Sequence, residues 1–430
     1  MPGPIRLPWY RAMKRAAFAP AFALAFLALL PLAYGQGDGL LRAPDGRRLF
    51  PIGFYELPAD AAALKAMAES GVNLVRCHSR PELDRAAAAG LLAWMPLNVQ
   101  QGATDDLRKT IESVQDHPAL AVWEGPDEIV WNFTAASQLQ KAGIHKSGGE
   151  WWRQTPEAVA YAEQQANELL PKMRDGIALV RSLDARNRQF WINEALGSDL
   201  GYVRRYMDWI DVTGCDLYPV RADNRPIARL GEATDRWIAA GRGKPVWMVL
   251  QGFSWSELGE RYGAKEIAYP TFDESRFMAC DVIAHGARGV LYWGSNYLKS
   301  QSFRESLYAL ASELAALQPF LVAPDIEGVR VRLVKMPEEK PTRGVRAFAR
   351  RAGDEWLVAL VNEDAQWHLG VEVAGLVALN GRTLDLLYGA ETATIEHGEL
   401  ITRMPPLGVK VFATGRQWET KRLAGREFVK

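Results

Sequence analysis

From Leu49 to Trp293, short apolar runs alternate with longer stretches in which apolar residues recur at three- and four-residue spacing. The runs that read as strands are Leu49 to Phe54, Val72 to Cys77, Leu91 to Leu97, Leu120 to Trp123, Phe190 to Asn193, Ile210 to Tyr218, Pro245 to Gln251 and Gly289 to Trp293. The spacing between them predicts helices over Asp60 to Ser70, Glu82 to Ala89, Asp105 to Val114, Pro156 to Ser182, Ala228 to Ala240 and Glu274 to Ala284. Strand and helix in alternation make a parallel sheet. Eight strands over roughly 280 residues match the size of a (β/α)8 TIM barrel. A doubly wound open sheet is the rival, but no glycine-rich phosphate loop follows the first run.

From about Glu327 the helical spacing stops and alternation takes over, in Val329 to Leu333, Val345 to Arg351, Trp356 to Asn362, His368 to Val373 and Val409 to Ala413. Turns at Arg351 to Asp354 and at Asn380-Gly381 punctuate it. The fold class expected is α/β: a barrel over residues 36–324, then a small C-terminal antiparallel β-sandwich over 325–415. The charged residues 416–430 read as a loose tail. The stretch from Trp131 to Thr155, with Gly143, Gly148, Gly149 and Trp151-Trp152, is too long for an ordinary strand-to-helix connection. It reads either as a surface insertion or as a loop that builds the site.

Composition narrows the class. At 430 residues, 48% of them hydrophobic and 15 of them Trp, the chain can bury a large core and is too long for one ordinary domain. Lys plus Arg and Asp plus Glu balance at 51 each, so no global field draws it to nucleic acid or anionic lipid. Arg6, Arg11, Lys14 and Arg15, then the apolar run Ala16 to Ala33 and the small-residue site at Ala33 to Gly35, have the order of a secretory signal peptide over residues 1–35. Pro20 and Pro31 interrupt that run, which argues for cleavage over an uncleaved anchor. The protein is thus expected to be exported, meeting a membrane only through this segment. Cys77, Cys215 and Cys280 are odd in number and lie in apolar patterns, so they read as core residues.

Chemistry in a barrel sits at the C-terminal strand ends. Those ends carry Tyr55 and Glu56, Arg76 and His78, Asp127 and Glu128, Asn193 and Glu194, Asp216 and Tyr218, Gln251, and Trp293. Carboxylates amid aromatic rings suit sugars: hydrolysis of a glycosidic bond uses an acid and a second carboxylate, and rings stack on the apolar face of a pyranose. No cofactor and no metal are expected, since neither a ligand cluster nor an HExxH spacing is present. His285, in the run Ala284 to Arg288, reads as a satisfied helix-end histidine rather than a ligand.

Across roughly Arg47 to Ser295, these residues resemble the clan A superfamily of retaining glycoside hydrolases, whose barrels often precede a β-domain. The resemblance implies that Glu128 is the acid/base, with Asp127 where the clan has Asn. It implies that Arg76 steadies the nucleophile, that Tyr218 is the strand-six tyrosine and that Trp293 is the strand-eight platform. The clan's nucleophilic Glu ends strand seven, where this chain has Gln251. An amide cannot form the covalent glycosyl intermediate. Asp216 is the first substitute, with Glu194 and Glu257 behind it. An inverting arrangement and assistance by a substrate acetamido group, oriented by Gln251 or Asp216, stay open.

The catalytic candidates are therefore Glu128, Asp216 and Asp127. Tyr55, Arg76, His78, Tyr218, Gln251, Trp255 and Trp293 are the candidate substrate contacts. The function expected is hydrolysis of O-glycosidic bonds in a poly- or oligosaccharide. The alternative is a catalytically inactive carbohydrate-binding protein on the same barrel. Nothing in the sequence speaks for a purely structural or adhesive role.

Overall fold

The computed structural model describes residues 38–144, 150–259, 265–335 and 340–423. The expected signal segment, together with Gly148 and Gly149, lies outside them.

Eight parallel strands close into a barrel: β1 (Ile52–Phe54), β2 (Leu74–Arg76), β3 (Leu92–Pro96), β4 (Leu120–Glu124), β5 (Gln189–Ala195), β6 (Val212–Asp216), β7 (Val246–Gln251) and β8 (Gly289–Trp293), with β8 pairing back to β1. Each expected run overlaps one of these strands. The interior is filled by Leu74, Leu92, Val122, Val212, Val249 and Leu291 together with the indoles of Trp94, Trp191 and Trp247, which meet at centroid distances of 6.1 and 5.3 Å. Two glycines make room for this filling. A Cβ on Gly214 would stand 2.8 Å from the Trp191 ring, and one on Gly289 would stand 2.6 Å from the Trp247 ring. A two-stranded ribbon, Leu41–Arg42 with Arg48–Leu49, adds Leu41 to the same cluster, and the Trp247 indole N–H donates to the Gly39 carbonyl at 2.8 Å.

The expected helices form, and their ends obey capping chemistry: the Asp60 and Thr104 side chains accept from the backbone of Ala61–Glu69 and Asp105–Val114. Two further helices, Leu200–Tyr206 and Gln301–Ala316, were not expected from the spacing. Among the described residues of the Trp131 to Thr155 stretch are the short helices Ile129–Thr134 and Ala136–Lys141. Trp151 is buried against Tyr202, while Trp152 is exposed.

Beyond the barrel, the strands are antiparallel and lie in two sheets. One orders Val345–Ala352, Glu355–Asn362, Val409–Ala413, Thr383–Leu386 and Thr392–Thr394; the other orders Arg330–Lys335, Leu369–Ala374 and Glu399–Met404. Val358, Leu360, Val371, Val373, Leu400 and Phe412 form their shared core. Of the expected loose tail, Arg416 to Leu423 is packed. Trp418 meets Phe320 edge-on at 4.7 Å, Glu419 accepts from the Tyr388 amide at 2.8 Å, and Leu423 is buried. The cause is that an indole and a leucine in a charged segment still gain by leaving water. All three cysteines are buried and free.

The helix Phe272–Ala284, opened by a Thr271/Glu274 capping box, joins barrel to sheets. On it, buried Arg276 makes three contacts of 2.8–2.9 Å with buried Glu313 and donates to the Val409 carbonyl at 3.2 Å. Removing one partner of such a pair strands a charge in the core. Arg276→Ala is therefore expected to lower unfolding free energy by about 3–5 kcal/mol, read by urea denaturation. A loss below about 1 kcal/mol would mean that the pair is dispensable.

Candidate active site

The turn after β4 is fixed from below. Glu194, on β5 and fully buried, accepts from the Val130 amide (3.0 Å), the Trp131 amide (3.4 Å), the Tyr206 hydroxyl (2.8 Å) and the Ser198 hydroxyl (2.6 Å). Burial pushes its carboxyl up to about 7 against these donors. Glu128, just before the helix Ile129–Thr134, adopts φ 53°, and its amide donates to the Asn193 carbonyl at 2.9 Å. A left-handed glutamate costs about 1–3 kcal/mol and persists because its surroundings fix it. The turn thus aims Glu128 into the mouth of the barrel.

There Glu128 meets Asp216 from the end of β6, and the two carboxyl groups hydrogen-bond each other. Such a contact requires one proton between them. Burial is the main cause that lifts both above the ordinary carboxylate range; the neighbouring carboxylate adds to the rise at Asp216, and Asp127 adds to both. Asn193 braces the group, its amide donating to Asp127 at 3.0 Å and to Asp216 at 3.3 Å, and the Tyr218 hydroxyl donates to Asp216 at 3.2 Å. Among the described residues, the buried Asn193 Oδ1 and the buried Tyr55 hydroxyl have no hydrogen-bond partner, and both residues line the cleft.

The cleft holds about 500 Å³ and is walled by Tyr55, Trp131, Tyr218, Trp255 and Trp293 around Asp127, Glu128 and Asp216. Tyr218 and Trp293 are stacked at 5.3 Å and 21°, and Phe253 packs edge-on against Tyr218, Trp255 and Trp293 at 5.1–5.3 Å. The Arg221 guanidinium lies 3.9 Å from the Trp255 ring centroid.

The remaining candidates lie elsewhere. Arg76 donates to Glu124 at 2.8 Å and stands 5.2 Å from the Tyr55 ring. Glu124, at the end of β4, is fully buried, which pushes it up to about 8 despite Arg76. With Gln251 at the end of β7, Arg76 steadies Glu124 in place of the nucleophile that the resemblance implied. Arg76 and His78 line an adjoining hollow of about 420 Å³ that shares Tyr55 and Trp293 with the cleft. Gln251 does not line either hollow. It is fully buried, its Oε1 accepts from the Val220 amide at 2.9 Å, and its Nε2 donates to the Val220 and Phe253 carbonyls at 2.9 and 3.0 Å. Its amide hydrogens are spent on holding the loops after β6 and β7, so it is a positioning residue rather than a substrate contact. The fallback carboxylates are similarly occupied. Glu194 holds the β4 turn, and Glu257 accepts from the Ser254 amide, the Lys299 amide and the Tyr269 hydroxyl.

Glu124, Asn193, Trp131 and Arg221 had no site role assigned from the sequence. Glu124 and Asn193 occupied recognisable strand ends, and their residue type was the available signal.

No protein-family model matches the chain, and no curated protein does either. Solved structures do. The fold is similar to that of the β-galactosidase from Bacillus circulans sp. alkalophilus, with a TM-score of 0.54 at 9% identity over 85% of this chain and 98% of that one. An α-amylase from Geobacillus thermoleovorans, complexed with acarbose, matches at a TM-score of 0.44 and 10% identity over 82% of this chain and 90% of that one. The β-galactosidase from the psychrophilic Marinomonas ef1 matches at 0.41 and 14% over 62% of this chain, which spans 59% of that enzyme's length. The likeness to the Bacillus β-galactosidase is one of fold: a closed (β/α)8 barrel followed by antiparallel sheets.

Glu194→Ala leaves the Val130 and Trp131 amides and the Tyr206 hydroxyl without their acceptor. It is expected to cost about 2–3 kcal/mol in urea unfolding. Unchanged stability would free the β4 turn from this anchor.

Proposed function

We propose that the protein is an exported glycoside hydrolase that cleaves O-glycosidic bonds of a poly- or oligosaccharide in the cleft at the barrel mouth. The observation that carries this reading is the proton-sharing Glu128–Asp216 pair inside a wall of five aromatic rings. Glu128 protonates the leaving oxygen: burial raises its carboxyl above the ordinary range, and the proton shared with Asp216 is available to it. Asp216 is the partner carboxylate: of the acids weighed for that role, Glu194 and Glu257 are bound up in the scaffold, while Asp216 lines the cleft. Retaining enzymes hold their carboxyls about 5–5.5 Å apart and inverting ones about 6.5–9.5 Å. A pair in hydrogen-bond contact lies nearer the first, which supports Asp216 as nucleophile once a sugar parts the two groups. Asp127 tunes both by its charge. The unpartnered Asn193 Oδ1 and Tyr55 hydroxyl suit sugar hydroxyls, and the tyrosine and tryptophan rings suit the apolar face of a pyranose. Export rests on the basic, apolar and small-residue order of residues 1–35.

A second reading is favoured by Gln251. With that amide locked to backbone where the clan carries its nucleophile, the barrel would bind oligosaccharide without turning it over. The two readings part in one assay. Screened against β-linked oligosaccharides, the mature chain is expected to release reducing sugar, and Glu128→Gln and Asp216→Asn are each expected to lower kcat/KM by about 10²–10⁴-fold. Saturable binding with no product, from wild type and variants alike, would establish the binding protein instead.

The pH profile follows from the sign of the shifts. Groups with raised pKa keep their protons as pH climbs, and the singly protonated pair is lost only when its second proton leaves against the first negative charge. The alkaline limb of kcat/KM is therefore expected well above ordinary carboxylate values. In Asp216→Asn residual activity, it should move down, since one like charge has gone. A limb that stays in place would detach Asp216 from the titration.

A further inference from the structure

A second cluster of ionisable groups lies away from the cleft, where the helices Arg229–Gly241 and Phe272–Ala284 meet the C-terminal sheets. His285 ends the second helix. Its Nε2 stands 2.7 Å from Glu363 Oε1, beyond the strand Glu355–Asn362, and 3.7 Å from Asp281 Oδ1 one turn earlier. Its Nδ1 stands 2.8 Å from Asp235 Oδ1 on the first helix. Asp281 has no exposed surface, and among the described residues its carboxylate has no close side-chain donor, only the Gly231 backbone amide directed at it. The Gly231 backbone closes the cluster: a Cβ there would lie 2.4 Å from His285 Nε2 and 2.9 Å from Glu363 Oε1.

A proton on the imidazole accounts for Glu363 and Asp235, one on each ring nitrogen. It leaves the fully buried Asp281 carboxylate with one backbone amide and an imidazole nitrogen 3.7 Å away, fewer donors than a buried charge needs. A cation at the centre would take one atom from each of three residues. Those three ligand atoms all lie within 4.8 Å of one another. Ligand atoms around tetrahedral zinc stand roughly 3.3 Å apart, and the contacts of 2.7 and 3.7 Å bracket that spacing. Asp235 on Nδ1 is what a metal-bound histidine needs on its far nitrogen to fix the tautomer and aim Nε2. One imidazole and two carboxylates suit a borderline divalent ion such as zinc; calcium takes six to eight oxygens.

We propose that Asp281, His285 and Glu363 bind a zinc-class divalent cation, oriented by Asp235, that ties the C-terminal sheets to the barrel. His285, expected to be a satisfied helix-end residue, then acts as a ligand from that same helix end. The sequence concealed this because Glu363 lies 78 residues further on. Arg343 and Arg346, the nearby cations, offset the surplus negative charge: Arg346 pairs with Asp235 at 3.0 Å, and the Arg343 charge acts on Asp281.

The test uses the whole mature chain, stripped with a chelator and titrated with zinc chloride. Wild type is expected to bind one zinc per chain by elemental analysis and to unfold at a higher temperature when loaded. Asp281→Asn and Glu363→Gln, close in shape to the native side chains, should each lose that equivalent and the thermal shift. Asp235→Asn should weaken binding by about 10–100-fold without abolishing it. Absence of bound zinc in wild type, or binding that survives both Asp281→Asn and Glu363→Gln, would overturn the site.

Discussion

Two carboxylic acids forced into contact inside a closed barrel cannot both be ionised, and the architecture of the barrel mouth serves to keep Glu128 and Asp216 in that relation. Glu128 reaches the contact from a left-handed turn after β4, and Asp216 reaches it from the end of β6. Between them runs β5, which supplies Glu194 to pin the turn and Asn193 to brace Asp216. The parallel register of β4, β5 and β6 is thus what converts three separate sequence segments into one proton-sharing centre. The packed indoles fill the barrel interior and make its core apolar.

The departure at Gln251 reorganises its neighbours. Where the clan resemblance implied a nucleophile supported by Arg76, the amide of Gln251 instead bonds to the loop at Val220 and Phe253. That loop region carries Tyr218, Phe253 and Trp255, so Gln251 supports the ring wall without touching the cleft. Arg76, left without a carboxylate on β7, pairs with Glu124 on β4.

Much of the barrel was legible because buried parallel strands and amphipathic helices leave different periods in sequence. Every expected run overlaps a strand, and Asp127, Glu128, Asp216, Tyr55, Tyr218, Trp255 and Trp293 do share one cleft. The strands Thr383–Leu386, Thr392–Thr394 and Glu399–Met404 were not legible, being short and mixed in polarity. Nor was the division of labour among carboxylates. Glu194, Glu257 and Asp216 look alike as residue types, and only partners distant in sequence separate the anchored ones from the one left in the cleft. Asn193 was visible at the end of β5, yet its bridge between Asp127 and Asp216 depends on strands that meet only in the closed barrel. Helix Phe272–Ala284 teaches the same lesson: its spacing predicts a helix, but not that its Arg276 and Asp281 are buried in the core.

The most direct test of the shared proton is a side-chain carboxyl NMR titration of Glu128 and Asp216 in the free protein. The account predicts two linked steps, with the second well above ordinary carboxylate values and seen at both residues. Two independent titrations near 4, each unaffected by removal of the other carboxyl, would contradict it.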